Sequence, residues 1–324
     1  MKKLFLKKFF AAIIIPAVLC VSCSDDDNSV NYPTDPLSIT IKADGTTSNG
    51  AKFAPTSNNS FYLDYVLYQI VDSHLEVIGC DKSEIKGDVK IYSPINYLGV
   101  TYNVRKIEKR TFSHCEKVIT VNLPDCIQEM GIEAFRGCTN LRSINLPSEL
   151  AYIPNDCFNS CQNLTGITCP QNISYIGAGA FLKCNKLGNI ALPNKITLIG
   201  EEAFYMCGDL GSIVIPASCE IIYHDAFAFC KFDIVKIESG VKKIRYRAFS
   251  YCEIDEVILP ETESLIFESN TEHIRATSYE VFYKSNIYKV YAHLYHWTPT
   301  QRDVFFRGAN IEKLFFSQSE TEIQ

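Results

Sequence analysis

The sequence predicts an α/β-type solenoid, a stack of short parallel strands and short helical segments built from repeated units. Two observations carry that prediction. Phe112, Phe135, Phe158, Phe181, Phe204, Phe227 and Phe249 recur at steps of 23 residues with a last step of 22. Three residues after each stands a cysteine: Cys115, Cys138, Cys161, Cys184, Cys207, Cys230 and Cys252. A fixed period of this length marks an architecture in which each unit packs only against its neighbours. No single unit can bury its own apolar ladder, so stacking must supply the core.

Within one unit the apolar positions are Met130, Ala134, Phe135, Cys138, Leu141, Ile144, Leu146, Leu150 and Ile153, with Pro147 after Leu146. Ile144 and Leu146 alternate with polar residues, the period of a strand. The following Pro has no N–H to donate to a ladder, so it ends that strand. The run Ile-x-x-x-Ala-Phe-x-x-Cys puts apolar residues at i, i+4, i+5 and i+8, the spacing of a short helical or 3₁₀ segment. Each unit therefore reads as strand, bend, short helical segment and bend.

Leu-x-x-Ile-x-Leu-Pro-x-x-Ile-x-x-Ile-x-x-x-Ala-Phe-x-x-Cys resembles the BspA-type leucine-rich repeat of bacterial surface proteins. Seven units hold it between Ile107 and Pro260. Two degenerate units follow, Phe282, Ile287 and Val290 with Ser285 in the Cys slot, then Phe306, Ile311 and Leu314 with Ala309 there. End units of a stack are expected to depart from the pattern because they cap it. The resemblance implies a leucine-rich repeat stack with a β-rich lead-in, and adhesion to host matrix proteins or to other bacteria.

Boundaries follow from local composition. Residues 1–22 read as a signal peptide, with Lys2, Lys3, Lys7 and Lys8 ahead of the apolar stretch from Phe9 to Leu19, which is short for a membrane span. Ser22-Cys23 resembles a lipoprotein cleavage box, which makes Cys23 the lipidated residue. Cys20 occupies the slot where such boxes carry Leu, and stands as the alternative. Ser24-Asp25-Asp26-Asp27 resembles the acidic export tag of certain Gram-negative gut bacteria, implying a lipid-anchored outer-membrane protein facing the exterior. Residues 23–58 are expected to form a tether, most plainly at 24–36 with Pro33 and Pro36. A β-rich lead-in is expected at 59–106, regular repeats at 107–260, an insertion and degenerate capping repeats at 261–316, and a tail at 317–324.

The composition narrows the function. The chain has 324 residues, 47% of them hydrophobic, and a net charge of −6, which argues against nucleic-acid binding. Fourteen cysteines in an exported chain suggest disulfides, but the ladder opposes that. Successive ladder positions lie about 4.7–4.9 Å apart with parallel side chains, so their Cβ atoms stay beyond the roughly 3.5–4.5 Å a disulfide needs. A small thiol suits a tight bend in a core. The six histidines are scattered, and no nucleophile, phosphate-loop or zinc-ligand motif occurs. Neither an enzyme nor a cofactor or metal site is expected.

Surface features point to binding. Thr120, Asn122, Ser143, Asn145, Thr168, Asn189 and Ser212 are expected to face outward, as a shallow recognition strip or as ordinary solvated sheet. In the C-terminal half, Lys242, Lys243 and Arg245 precede the acidic run of Glu256, Glu261 and Glu263, and about 11 extra residues near 261–275 lengthen one unit. That insertion is either a binding loop or a solvated loop at the cap. Tyr288, Tyr291 and Trp297 follow, either closing the stack or forming a patch for protein or glycan. The expected protein is a non-catalytic surface lipoprotein that binds protein ligands, with glycan capture as the alternative.

Overall fold

Each repeated unit folds into one coil that feeds two separate parallel strand ladders. The computed structural model describes residues 37–56, 59–260, 266–268, 280–291 and 305–315. In the first ladder Tyr152–Ile153 pairs with Tyr175–Ile176 and then Leu198–Ile199, Ile221–Ile222, Lys243–Arg245 and Ile266–Glu268 follow, all parallel. Its inward residues Ile153, Ile176, Ile199, Ile222 and Ile244 are fully buried. The second ladder runs from Gly87–Lys90 through Val118–Asn122 to Ser143–Ile144. Pairing lapses there for two coils and resumes with Ser212–Ile215, Lys231–Ile237, Glu253–Ile258, Asn286–Tyr291 and Asn310–Phe315. The expected solenoid of parallel strands is thus present and extends through both degenerate units.

The segment expected to be helical is instead a run of turns, and two backbone positions per coil explain why. Residues two before and two after the ladder Phe have left-handed φ: Glu133 at 59° and Gly137 at 71°, Asp156 at 54° and Ser160 at 63°, Glu202 at 51° and Met206 at 55°. Such residues interrupt a right-handed helix. The N–H groups then alternate in direction. Those of Ala134, Arg136 and Cys138 bond three residues back within their own coil, whereas those of Glu133, Phe135 and Gly137 bond Asn155, Cys157 and Asn159 of the next. A helix keeps its donors for itself; the alternation makes a third hydrogen-bonded ladder between coils. The i, i+4 apolar pattern fits either structure, which is why it suggested a helix.

The core is a continuous column of rings and thiols. Consecutive Phe rings from Phe112 to Phe249 stack with centroids 4.9–5.6 Å apart, and Phe249 meets Phe282 at 5.3 Å despite the longer step between them. Every ladder thiol from Cys138 onward reaches back to the previous coil's Phe carbonyl: Cys138 to Phe112 at 3.0 Å, Cys184 to Phe158 at 3.1 Å, Cys252 to Phe227 at 3.1 Å. Burial pushes Cys138 and Cys184 up to about 12, so the S–H persists at neutral pH and can donate. These cysteines are free thiols.

The N-terminal end begins earlier than the sequence suggested. Ile39–Ile41, inside the stretch expected as tether, pairs parallel with Ile95–Tyr97, and Leu37, Ile39 and Ile41 are buried. Their alternation with Ser38 and Thr40 is that of a half-buried strand. An antiparallel meander of Phe53–Pro55, Ser60–Leu63, Val66–Val71 and His74–Cys80 follows. Its last strand pairs parallel with Val104–Ile107, which pairs with Glu129–Met130. The meander therefore supplies the first rung of the solenoid and covers its apolar end.

Candidate functional site

The left-handed position two residues after each ladder Phe sends its side chain outward, one per coil. Toward the C-terminus these residues are Lys183, Met206, Phe229, Tyr251 and Lys284, with φ between 54° and 60°. They lie in neighbouring coils, since Lys183, Met206, Phe229 and Tyr251 each donate an N–H to the coil that follows. Met206, Phe229 and Tyr251 are 38%, 42% and 37% exposed. Phe229 and Tyr251 stack at 4.5 Å with planes 4° apart. Tyr205 packs against Phe229 at 5.2 Å, and Tyr283 meets Tyr251 edge-on at 5.8 Å. Lys284 Nζ sits 5.5 Å from the Tyr251 ring and 5.3 Å from that of Tyr283, while the Arg247 guanidinium lies 4.6 Å from Tyr283. The result is an apolar ridge three coils long with a lysine at each end.

Packing alone does not require rings here. A bulky residue at positive φ is a steric outlier, although Phe229 and Tyr251 still bury more than half of their surface. Other coils fill the same position with Gly137 and Ser160. Partly exposed aromatic residues in neighbouring coils make this ridge a candidate contact site. Phe229 and Tyr251 each cover one face of the other, which leaves less free aromatic face for stacking. A sugar ring stacks on a free aromatic face, whereas protein side chains pack well against ring edges and methyl groups.

The residues singled out from the sequence are spread over several faces. Glu256, Tyr288 and Tyr291 lie on the second ladder, with Glu256 beside Lys289 in register. Tyr288 is 42% exposed, but the ammonium groups of Lys289 and Lys313 stand 5.6 and 5.5 Å from its ring. Tyr291 stacks on Phe315 at 5.1 Å. Lys243 and Arg245 belong to the first ladder, where Arg245 covers the Tyr223 ring at 4.4 Å. Lys242 pairs with Glu220 of the preceding coil. The acidic residues from Glu253 to Glu256 stand on the second ladder, not the first. Glu261, Glu263, Trp297 and Cys23 lie outside the described residues.

The polar strip does come together. Thr120, Asn122, Ser143, Asn145, Thr168 and Asn189 line one shallow groove of 810 Å³ where the second ladder lapses. Asn145 is committed to structure there, its amide bridging the N–H and carbonyl of Leu123 at 2.8 and 2.6 Å. Sequence reasoning missed the ridge. Its signal was an aromatic residue immediately before a ladder cysteine, at Phe229 and Tyr251, on two successive coils.

No curated protein matches the chain. Among solved structures it is similar to the leucine-rich repeat protein of T. pallidum, at 22% identity over 60% of this chain and 83% of that one, with a TM-score of 0.45. A leucine-rich repeat protein from Bacteroides ovatus is similar at 18% identity, over 81% of this chain and 79% of that one, with a TM-score of 0.44. The pneumococcal vaccine antigen PcpA is similar at 12% identity, over 83% and 99%, with a TM-score of 0.43. The profile of the BspA type leucine rich repeat region matches residues 91–210 and 197–324 in 6 copies. By the extent of that match, and by the phenylalanine column and coil ladders it covers, the chain belongs to the BspA-type leucine-rich repeat family.

Proposed function

We propose that this chain is a non-catalytic, surface-exposed lipoprotein whose solenoid binds protein ligands, in adhesion to host matrix proteins or to other cell surfaces. Repeat solenoids commonly present extended binding surfaces. The observation that carries the reading is the partly exposed stack of Phe229 on Tyr251, held at left-handed backbone positions of neighbouring coils. Lipid attachment at Cys23 and display on the outer face are supported by the leader, the Ser22-Cys23 pair and the acidic residues Asp25–Asp27.

The ridge specifies its ligand's chemistry. Apolar Met206, Phe229 and Tyr251 lie between Lys183 and Lys284, four coil steps apart, or about 19 Å at strand spacing. An extended segment rising about 3.3 Å per residue spans that length in roughly six residues. The complementary partner is therefore an extended protein segment with apolar residues flanked by acidic ones about six positions apart. Charge matching of this kind guides encounter and register.

The test uses the purified chain from residue 24 on an array of synthetic peptides with that acidic spacing, lysine-flanked controls, and a glycan array. Acid-flanked peptides should be retained, and Phe229→Asn with Tyr251→Asn should weaken retention at least about tenfold. Asn tolerates left-handed φ, so the melting temperature should stay within a few degrees. Equal peptide binding by the double variant, or retention of glycans alone, would overturn the reading.

A further inference from the structure

Cys115 is the first cysteine of the ladder, and no Phe-bearing coil precedes it to offer its thiol a carbonyl. Its sulfur instead faces that of Cys80, 3.3 Å away. Cys80 ends the strand His74–Cys80, past its last parallel pair (Val77 with Ile107) and paired antiparallel with Val66, so the parallel register that keeps ladder cysteines apart does not hold it. Cys80 is half-buried and Cys115 buried. Cys80 Sγ also lies 3.3 Å from the Thr111 carbonyl, and Lys82 Nζ is anchored nearby on the Ser113 carbonyl at 2.6 Å.

We propose that Cys80 and Cys115 form an oxidative cross-link, a disulfide that fastens the N-terminal lead-in to the first coil. A disulfide bond is about 2.05 Å long, so the sulfurs must close by about 1.2 Å, a movement within reach of side-chain rotation at the half-buried end. The oxidant is an external disulfide, such as oxidised glutathione or a thiol oxidoreductase. The accessible Cys80 loses its proton and attacks that disulfide, forming a mixed disulfide and expelling one outer thiolate. Cys115, as thiolate, then attacks the Cys80 sulfur and expels the second. Two protein thiols are oxidised, two electrons pass to the external disulfide, and the two released protons leave with its thiols. In the reduced pair the contact between the sulfurs lowers the Cys115 pKa and raises that of Cys80, while the Lys82 ammonium lowers both. Once Cys80 is in the mixed disulfide, Lys82 remains to favour the Cys115 thiolate for the second attack.

The link adds a covalent tie, across a 35-residue separation, to segments otherwise joined by strand pairing, packing and hydrogen bonds such as that of Lys82 to Ser113. Its formation in the cell rests on the proposed export to an oxidising compartment. Its formation in a purified sample does not.

The purified, reduced chain is equilibrated in a glutathione buffer of defined potential, quenched with an alkylating reagent in denaturant and digested for mass spectrometry. The expected result is a peptide pair linked through Cys80 and Cys115, with the thiols from Cys138 to Cys252 alkylated. Oxidation should raise the melting temperature of the lead-in by about 5–10 °C, and Cys80→Ser should abolish the rise. A stable glutathione adduct on Cys80, full alkylation of both cysteines, or pairing with another cysteine would overturn the proposal. If the purified chain forms the link but the chain extracted from cells is reduced, the cross-link stands and the export reading falls.

Discussion

Ser285 places its hydroxyl 2.6 Å from the carbonyl of Phe249, the position that each ladder cysteine from Cys138 to Cys252 reaches with its thiol. The slot therefore calls for a small donor directed at the previous coil, and a thiol meets that need with little polar surface. Two adjacent donors of this kind point the same way and do not converge. The thiols from Cys138 to Cys252 should react with alkylating reagent only after unfolding. Mass spectrometry without reductant should then find each modified, and recovery of peptides linked between neighbouring coils would contradict the geometry.

The Phe column predicts a severe cavity effect. Phe181 is fully buried between Phe158 and Phe204, at 5.4 and 5.2 Å. Phe181→Ala should cost about 3–5 kcal/mol, measured by urea denaturation. A change below 1 kcal/mol, on the order of an exposed site, would show that the column does not carry the stack.

Asp225 predicts a pH effect of defined sign. Burial raises its pKa above 3.8, with Glu202 adding to the shift, while Ser250 at 3.3 Å, Arg247 and His224 oppose it. The fold thus favours the protonated carboxyl. That contribution is complete below the unfolded value and is lost as pH rises through the raised folded one. Asp225→Asn keeps a residue that tolerates φ of 51° and removes the charge. It should raise the melting temperature at pH 7 and change it little at pH 3. Equal shifts at both pH values would assign the effect to something other than ionisation.

Charge at the ends of the ridge should govern encounter. Lys183→Glu with Lys284→Glu should slow association with acid-flanked peptides while leaving the melting temperature unchanged. Added salt should slow the native chain in the same way, since exposed charges are screened within about 8–10 Å at physiological ionic strength. Salt-independent association, read by surface plasmon resonance, would remove the lysines from the recognition scheme.

Anchoring should depend on Cys23. Cys23→Ala should abolish labelling with palmitate, whereas Cys20→Ala should not, and label surviving Cys23→Ala would move the attachment to Cys20. Replacing Asp25, Asp26 and Asp27 should leave lipidation intact but remove the chain from protease shaving of whole cells.

The solenoid was legible because each coil is held by residues whose type the packing dictates: Phe135 must fill the column, Cys138 must reach a carbonyl, and Ile153 must face inward. The turn ladder was not legible. Glu202, Met206 and Phe229 adopt left-handed φ without the glycine that normally announces it, and the hydrogen bonds that hold them run to the next coil. Exposed Phe229 and Tyr251 were likewise hidden inside the repeat, because counting apolar positions does not separate a ring that faces the core from one that faces water. Leu37, Ile39 and Ile41 could have been found, since their alternation is that of a strand. The Cys80–Cys115 approach could not, because it depends on how an irregular meander sits against the first coil.

The contact between Phe249 and Phe282 has a practical consequence. Their rings meet at 5.3 Å, within the range of the regular column, although 33 residues separate them instead of 22 or 23. Register between coils is thus enforced by contacts between neighbours, and the intervening chain has only to be long enough to return. Lengthening a connection adds only slowly to the entropy of closing it. Foreign cargo such as an epitope or a small folded module, inserted in the chain between Phe249 and Phe282, should therefore leave the column on either side stacked.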